Sequence, residues 1–264
     1  MNVIYIFIRT AFRNTTIYRL NFWISLISTF LMMYGSYSLW TILYQQSPNA
    51  FGLDLQRMTT YGVLGMILLP IMDNAMRTQY HIAQQVRTGM LELDMLKPLD
   101  FIFHMLSRNL GDFCVLLMTR GVPAFLFAYL FLNFSLPQSG LAACAFLISI
   151  LLGYLVFFST SFLMGMLAIV FLDIRSWGWA FSGLVRGASG QLVPLWMYPP
   201  ALGAFFGLLP FKGIYFIPMA LYIGAYEGGT AQALGFQLVW LLALLVAAQI
   251  TWSRVQGRIT VQGG

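Results

Sequence analysis

Long apolar stretches alternate with short polar ones along the whole chain, a pattern that predicts an all-α polytopic membrane protein. A helix needs about 20 apolar residues to cross a bilayer. Six stretches meet this requirement: residues 20–44, 58–76, 103–134, 141–171, 177–198 and 231–252. The third is long enough to begin outside the bilayer and to bend at Pro123. We therefore predict six transmembrane helices in a single transmembrane domain, residues 1–264.

The first residues and the segment before the last span depart from this simple pattern. In residues 1–19, apolar side chains at i, i+4 spacing, from Ile4 to Phe12, lie on a different face from Arg9 and Arg13. This spacing favours an interfacial helix in the headgroup layer. The alternative is an extension of the first span.

Prolines interrupt the apolar segment that precedes the last span. Half of the chain's ten prolines lie between Pro194 and Pro218. Each one removes a backbone donor and clashes with the preceding turn, so no straight helix can run through them. We predict that residues 199–225 form short helices that enter the outer leaflet and return, as a re-entrant extracellular hairpin. Such backbone needs cover from protein or from a water-filled cavity. The alternative is one kinked span.

Composition places the chain in the membrane class. Hydrophobic residues make up 59% and charged residues 8%, with a mean hydropathy of +0.78, whereas soluble domains carry about 25% charged residues. The net charge of +6 does not predict nucleic-acid binding, because the basic residues lie between apolar stretches. Their distribution predicts that both termini and residues 77–112 are cytoplasmic. On the opposite side it leaves only Arg57 and Lys212.

Residues 77–112 are unusually polar for this chain. They hold eight of its 22 charged residues and both histidines, without a cluster able to do chemistry. This composition favours a docking surface. Thr88 or Gly89 is expected to start a short helix in it, Pro98 to stop that helix, and Asp100 to cap the next one.

Within residues 80–100 the predicted helix has two faces. Met90, Leu93 and Leu96 recur at i+3 spacing, while the charged side chains project elsewhere. One face can hold the transmembrane helices while the other meets a partner. The alternative is a loop that packs only on its own protein.

Two segments of sequence resemble a known family, the permease subunits of ABC-2 type exporters, particularly the bacterial branch of uncharacterised ABC-2 family permeases. They are RTGMLELDMLKPLDF, Arg87 to Phe101, and YPPALGAFFGLLPFKGIYFIPMALYIG, Tyr198 to Gly224. The basic N-terminus and the six spans add to the resemblance. The pattern of Gly89, Leu91, Leu96, Lys97 and Pro98 looks like a signature of that branch.

The resemblance implies a function and its partners. In this family the segment between the second and third spans is a coupling helix held by a cytoplasmic ATPase, and two permease chains, identical or paralogous, form the translocation path. It implies export, alternating access and a bacterial inner membrane, with lipids around the chain. The residues that it assigns to ATPase contact are Arg87, Gly89, Leu91, Glu92, Leu93, Asp94, Leu96, Lys97 and Pro98.

The energy source is expected in another chain. No G-x-x-x-x-G-K-[ST] run occurs, so we predict that ATP and Mg are bound by the partner ATPase and that this chain has no cofactor and no catalytic residue. Cys114 and Cys144 lie in apolar stretches without a Cys or His partner at metal spacing, which predicts neither a disulfide nor a metal site.

Two other functions have some support. Gly187 to Gly190 reads G-A-S-G, as in rhomboid-type intramembrane proteases, but such a serine needs a histidine on a later span. The only histidines, His81 and His104, precede it. An ion-coupled secondary transporter also uses broken helices and intramembrane charge. Against that function, the chain shows no internal repeat, and six spans are few for such a carrier.

Charged groups inside spans mark candidate functional residues. A polar stripe is predicted in the fifth span: Ser182, Arg186 and Ser189, with Gln191 nearby. Arg120 lies in the third span. These groups either line a transport pathway or stabilise the structure, with Arg186 bonded to carbonyls of a neighbouring helix. Asp73 and Arg77, at i, i+4, are predicted to form a local ion pair.

Overall fold

The computed structural model describes residues 19–46, 52–91, 100–171 and 174–256. These residues form α-helices with short 3₁₀ and π turns, and they contain no β-strand. The predicted interfacial helix falls almost entirely outside the described residues. The chain is an all-α membrane protein.

The helices are named here in chain order. The first six are α1 (Arg19–Gln46), α2 (Leu55–Thr88), α3 (Phe101–Leu116), α4 (Val122–Phe131), α5 (Gly140–Met166) and α6 (Ala168–Phe171). The remaining four are α7 (Arg175–Ala188), α8 (Pro200–Leu208), α9 (Phe216–Tyr222) and α10 (Gly229–Val255). A π-helical segment, Leu117–Gly121, joins α3 to α4.

Local chemistry explains several helix boundaries. The Asp100 carboxylate accepts a hydrogen bond from the backbone N–H of Phe103 at 3.0 Å, which confirms its predicted role as the cap of α3. Shortly before Pro123, where the sequence predicts a bend, the structure has the π-helical segment Leu117–Gly121. Proline cannot donate a backbone hydrogen bond, and the carbonyl four residues earlier, that of Thr119, lies in this segment.

Within the described part of the chain, four apolar helical stretches are long enough to cross a membrane: Leu20–Gln46, Phe101–Phe131, Gly140–Phe171 and Gly229–Val255. The pair Pro200–Leu208 and Pro210–Tyr222, bent by 78°, is apolar enough to count as a fifth. These helices make the protein polytopic.

The predicted fifth span, residues 177–198, does not form one continuous helix. α7 ends at Ala188 after 14 residues. Gly190 then adopts a left-handed conformation with φ of 74°, and Pro194 follows four residues later. A hydropathy criterion carries the span on to Tyr198, but the backbone at Gly190 and Pro194 does not permit the helix to continue.

The proline-rich segment contains short helices, as the proline spacing predicts. α8 is followed by a 3₁₀ turn, Pro210–Gly213, and by α9, all seven residues of which are buried. The Gln237 side chain on α10 donates hydrogen bonds to the carbonyls of Gly213 at 2.7 Å and Ser149 at 2.9 Å. Protein therefore covers the 3₁₀ turn and α9, whereas no residue of α8 is buried.

α2 and α5 form the centre of the bundle. α2 packs against α1 on one side and against α3 and α5 on others, while α5 also contacts α9 and α10. Close approach requires glycine at one crossing, because a Cβ on Gly153 of α5 would lie only 2.6 Å from the Gly213 carbonyl oxygen. From this central position, α2 contributes polar side chains to contacts with several neighbouring helices.

Candidate functional site

An ion pair joins α2 to α7 in the middle of the bundle. Arg186 Nη2 lies 2.9 Å from Asp73 Oδ2, and the two residues are 113 positions apart in sequence. The side chains are 44% and 29% exposed, respectively. The predicted local pair of Asp73 with Arg77 is therefore wrong as to partner, and Arg77 contributes only a longer-range attraction. Arg186 binds a carboxylate rather than the backbone carbonyls expected of a structural arginine.

Unwound backbone lies directly after Arg186, where α7 ends. The Tyr61 hydroxyl donates to the Gly190 carbonyl at 2.6 Å, and the Phe216 N–H donates to the Ser189 carbonyl at 2.9 Å. A Cβ on Gly65 would lie 2.7 Å from the Gln191 carbonyl oxygen, so only glycine fits there. Residues 189–191 are thus held between α2 and α9, and protein groups satisfy backbone that no helix does.

The predicted polar stripe divides into two parts. Ser182 is exposed more than Ser189, and its hydroxyl donates to the Trp179 carbonyl of its own helix at 2.7 Å. Ser189 and Gln191 are almost fully buried, at 0% and 1% exposure. The structure therefore places Arg186, Ser189 and Gln191 around the end of α7, with Ser182 one turn away.

Two buried polar atoms beside the ion pair lack a hydrogen-bond partner among the described residues. They are the Tyr215 hydroxyl and Gln191 Oε1. Tyr215 is close enough to Asp73 and Arg186 to interact with both electrostatically. A buried polar atom without a partner costs about 1–3 kcal/mol, and water or a polar ligand removes that cost. We call Asp73, Arg186, Tyr215 and residues 189–191 the polar centre.

A second polar network includes Asn74, the residue after Asp73 in α2, and Thr78, about one turn further along the helix. Asn109 of α3 accepts a hydrogen bond from Thr78 at 3.2 Å, and the Tyr154 hydroxyl of α5 donates to the Asn109 carbonyl at 3.0 Å. Asn74 Nδ2 donates to the same tyrosine at 3.1 Å. The network ties together three helices. Sequence reasoning missed it because these side chains are uncharged and far apart along the chain.

The segment 77–112, predicted to be a docking surface, is buried in part. Its described ends belong to α2 and α3, where Thr78, Gln79 and Asn109 are buried. At the exposed side Arg108 Nη1 lies 2.8 Å from His81 Nε2 and links the two helices. Among the described residues of this segment, Arg87 to Met90 are exposed at the end of α2.

Residues 80–100, the predicted coupling segment, are described as far as Leu91 and again from Asp100. Gly89, with φ of 68°, ends α2 and donates its N–H to the Val86 carbonyl, so the predicted helix start coincides with the end of α2. Helical residues resume at Met90 and Leu91. Leu91 is 3% exposed and packs in the chain's own core, whereas Arg87 is exposed. The remaining predicted contact residues lie outside the described residues: Glu92, Leu93, Asp94, Leu96, Lys97 and Pro98.

Arg120 lies apart from the polar centre. It is half-buried in the π-helical segment, and across the described residues no carboxylate lies within 4.0 Å of it. Arg77, which is also positive, acts on it electrostatically. π-helical segments are frequent at functional sites, but the structure does not bring Arg120 together with Arg186.

The described residues provide no geometry for an intramembrane serine protease or for a metal site. The Ser189 hydroxyl donates to the Arg186 carbonyl, while His81 contacts Arg108 at another end of α2. No group of three or more His, Cys, Asp and Glu side chains suited to a metal ion occurs in the described ranges.

The apolar helices that surround the polar centre are those of a polytopic membrane protein. Residues 30–263 match the model of the ABC-2 family, described as an ABC-2 family transporter protein. Because this match covers most of the chain, the protein belongs to that family. It is thus a transmembrane permease. A comparison with curated proteins gives no match.

Proposed function

We propose that this chain is the permease subunit of an ATP-driven ABC-2 type exporter, with a separate cytoplasmic ATPase as its energy source. Two permease chains, identical or paralogous, form the translocation path. The observation that carries the proposal is the continuity of α2, in a chain of this family. One helix runs from the polar centre to Gly89, where the coupling segment begins.

α2 is long enough to connect the two places mechanically. Its 34 residues span about 50 Å at about 1.5 Å per residue, well beyond an apolar core of about 30 Å. Asp73 and Thr88 are separated by roughly 22 Å on the same scale. A force applied by an ATPase to the coupling segment would reach Asp73 through a continuous hydrogen-bonded helix.

The proposed topology has six crossings, with both termini on the cytoplasmic side of a bacterial inner membrane. α2 serves as the second crossing, and α7 with the unwound residues after it serves as the fifth. α8 and α9 form the re-entrant hairpin. The 78° bend between them and the burial of α9 support that arrangement, because the chain turns within protein rather than in lipid.

The proposed cycle is alternating access. Closure of the ATPase pair moves the two coupling segments, and α2 transmits the movement to the Asp73–Arg186 pair. The unwound residues 189–191 are bound to α2 through Tyr61 and to α9 through Phe216. Displacement of α2 relative to α7 therefore strains these contacts and reshapes the polar centre between its inward-open and outward-open forms. A buried hydroxyl without a partner among the described residues, such as that of Tyr215, suits a path that admits polar cargo groups.

The test is co-purification of the full-length chain from its own cells in mild detergent. We expect a chain with a G-x-x-x-x-G-K-[ST] motif to co-purify and to hydrolyse ATP. Leu93→Asp should uncouple this hydrolysis from transport, because a charge on the apolar face of the coupling segment disrupts docking. Gln256→Asp, an exposed polar position at the end of α10, is the matched control and should behave as wild type.

Two results would contradict the proposal. One is a membrane-inserted Leu93→Asp variant that binds the ATPase and transports normally. The other is transport driven by an ion gradient in vesicles that contain this chain alone, which would identify a secondary transporter.

A further inference from the structure

A cavity of about 760 Å³ opens at the end of α2 opposite to the coupling segment. It lies between the start of α2, the turn before α8, the hairpin and the loop before α10. Its volume is within the range of small-molecule sites, roughly 300–1,000 Å³. The coupling segment and the polar centre contribute no residue to its lining, so this is a separate site.

Both basic residues that the charge distribution leaves on this side of the membrane line the cavity. They are Arg57 and Lys212. The positive-inside bias keeps Lys and Arg out of this side in general. The presence of two cations at one cavity on this side departs from that bias, and binding of an anion would explain it.

The two cations differ in how they are satisfied. Arg57 forms an ion pair with Asp54 at 3.2 Å. Lys212 Nζ lies instead over three aromatic rings, those of Phe216, Tyr226 and Phe236, at 5.9, 5.4 and 5.2 Å from their centroids. No carboxylate of the described residues lies within 4.0 Å of it. The rings hold the ammonium in place by cation–π attraction and leave its hydrogen-bond donors available to an anion.

One part of the cavity wall is suited to an apolar group. Trp196 and Phe216 line it and pack edge to face at 5.4 Å between ring centroids, beside Leu195. Gly207 also lines it, and a Cβ there would meet nothing within 4 Å. An available cation beside this apolar patch matches a molecule with an anionic head and an apolar body.

We infer that this cavity binds an anionic amphiphile, with its phosphate or carboxylate group on Lys212 Nζ and its apolar part against Trp196 and Phe216. Glu227 also lines the cavity and is exposed. Its carboxylate repels the anion and lowers the affinity. The site requires neither the ATPase nor a particular direction of transport.

The test uses the full-length chain in nanodiscs of phosphatidylcholine and a fluorescent dodecyl phosphate, with empty nanodiscs to correct for partitioning. Binding is read by fluorescence anisotropy. Lys212→Met, which keeps the length and removes the charge, should weaken binding roughly tenfold or more, as expected for one charge-assisted hydrogen bond. Lys212→Arg should retain binding, and Glu227→Gln should strengthen it.

Two further measurements separate charge from shape. Gly207→Leu places a side chain in open space, so it should fold normally and still reduce binding of dodecyl phosphate by filling the cavity. Fluorescent dodecanol, the neutral analogue, should bind wild type and Lys212→Met equally weakly. Melting temperatures of all variants should match wild type. Dodecyl phosphate binding that is unchanged in Lys212→Met, or equal for phosphate and alcohol in wild type, would overturn the inference.

Native mass spectrometry of chain purified from its own membranes distinguishes the sources of the amphiphile. A phospholipid carried by wild type and lost in Lys212→Met identifies a resident lipid. Wild type that arrives empty yet binds dodecyl phosphate through Lys212 identifies a diffusible amphiphile. A phospholipid retained equally by wild type and Lys212→Met counts against the site.

Discussion

The Asp73–Arg186 pair provides the most direct test of the polar centre. At a separation of about 4 Å between charge centres, two unit charges attract by about 4 kcal/mol at an effective dielectric constant near 20. The exposed fractions of 44% and 29% allow screening, and holding both side chains costs entropy. We expect a net coupling energy of about 1–2 kcal/mol, between values for surface pairs and for fully buried pairs.

A double-mutant cycle measures this coupling. Asp73→Asn, Arg186→Gln and the double variant are compared in the same mild detergent for their free energy of unfolding. Each single change leaves a half-buried charge without its partner, so each should destabilise by more than half of the loss seen in the double variant. Ser182→Ala, one turn along α7, is the control and should be neutral within about 0.5 kcal/mol. Additive effects, with coupling below about 0.5 kcal/mol, would refute the reasoning.

The same variants separate a transport role from a purely structural one. If the pair participates in transport, the double neutral variant should fold and still show altered transport or substrate-stimulated ATP hydrolysis per folded molecule. If the pair only stabilises the helices, that variant should transport normally once the yield is corrected. The second result would remove Asp73 and Arg186 from the proposed pathway.

Two further predictions concern packing and topology. Gly153→Ala should lower the melting temperature by an amount equivalent to about 1–3 kcal/mol, because the new Cβ would meet backbone at 2.6 Å. Gly35→Ala in α1, which has open space around it, is the control and should leave the melting temperature unchanged. Equal melting temperatures for the two variants would contradict the helix crossing. In a chain whose own cysteines are replaced, a cysteine at Glu227 should label from outside the cell and one at Met90 should not, and external labelling at Met90 would overturn the proposed orientation.

Apolar length and helix-breaking residues predicted the parts of the fold that depend on local sequence. The helix Arg19–Gln46 lies where residues 20–44 were expected, because the run of apolar residues alone determines it. Asp100 was expected to cap α3 because a carboxylate before an apolar run satisfies the free N–H groups of a helix start. The prolines before the last span predicted short helices for an equally local reason.

The fifth span shows where local patterns fail. Apolar residues return at Leu192 and continue to Tyr198, so a hydropathy criterion continues the helix. The structure ends it with Gly190 in a left-handed conformation, which is stabilised by Tyr61 and Phe216 from distant parts of the chain. No property of residues 186–194 alone encodes those two partners.

The sequence predicted only part of the polar centre, because its residues come from distant parts of the chain. An arginine in an apolar stretch is sufficient to mark Arg186 as a candidate. Its partner Asp73 is 113 residues away. Sequence spacing can suggest only pairs on one helix, such as Asp73 with Arg77. Tyr215 carried no signal at all, since a tyrosine in an apolar segment is ordinarily part of the core.

Two aromatic residues connect the cavity at Lys212 to the polar centre. Phe216 lines the cavity, and its N–H holds the Ser189 carbonyl. Trp196 also lines the cavity and packs edge to face on Tyr61, at 5.5 Å between ring centroids, while the Tyr61 hydroxyl holds the Gly190 carbonyl. An amphiphile that displaces either ring must therefore disturb the unwound residues beside Arg186. Because such coupling is reciprocal, a movement of α2 that reshapes the polar centre must also change the affinity of the cavity.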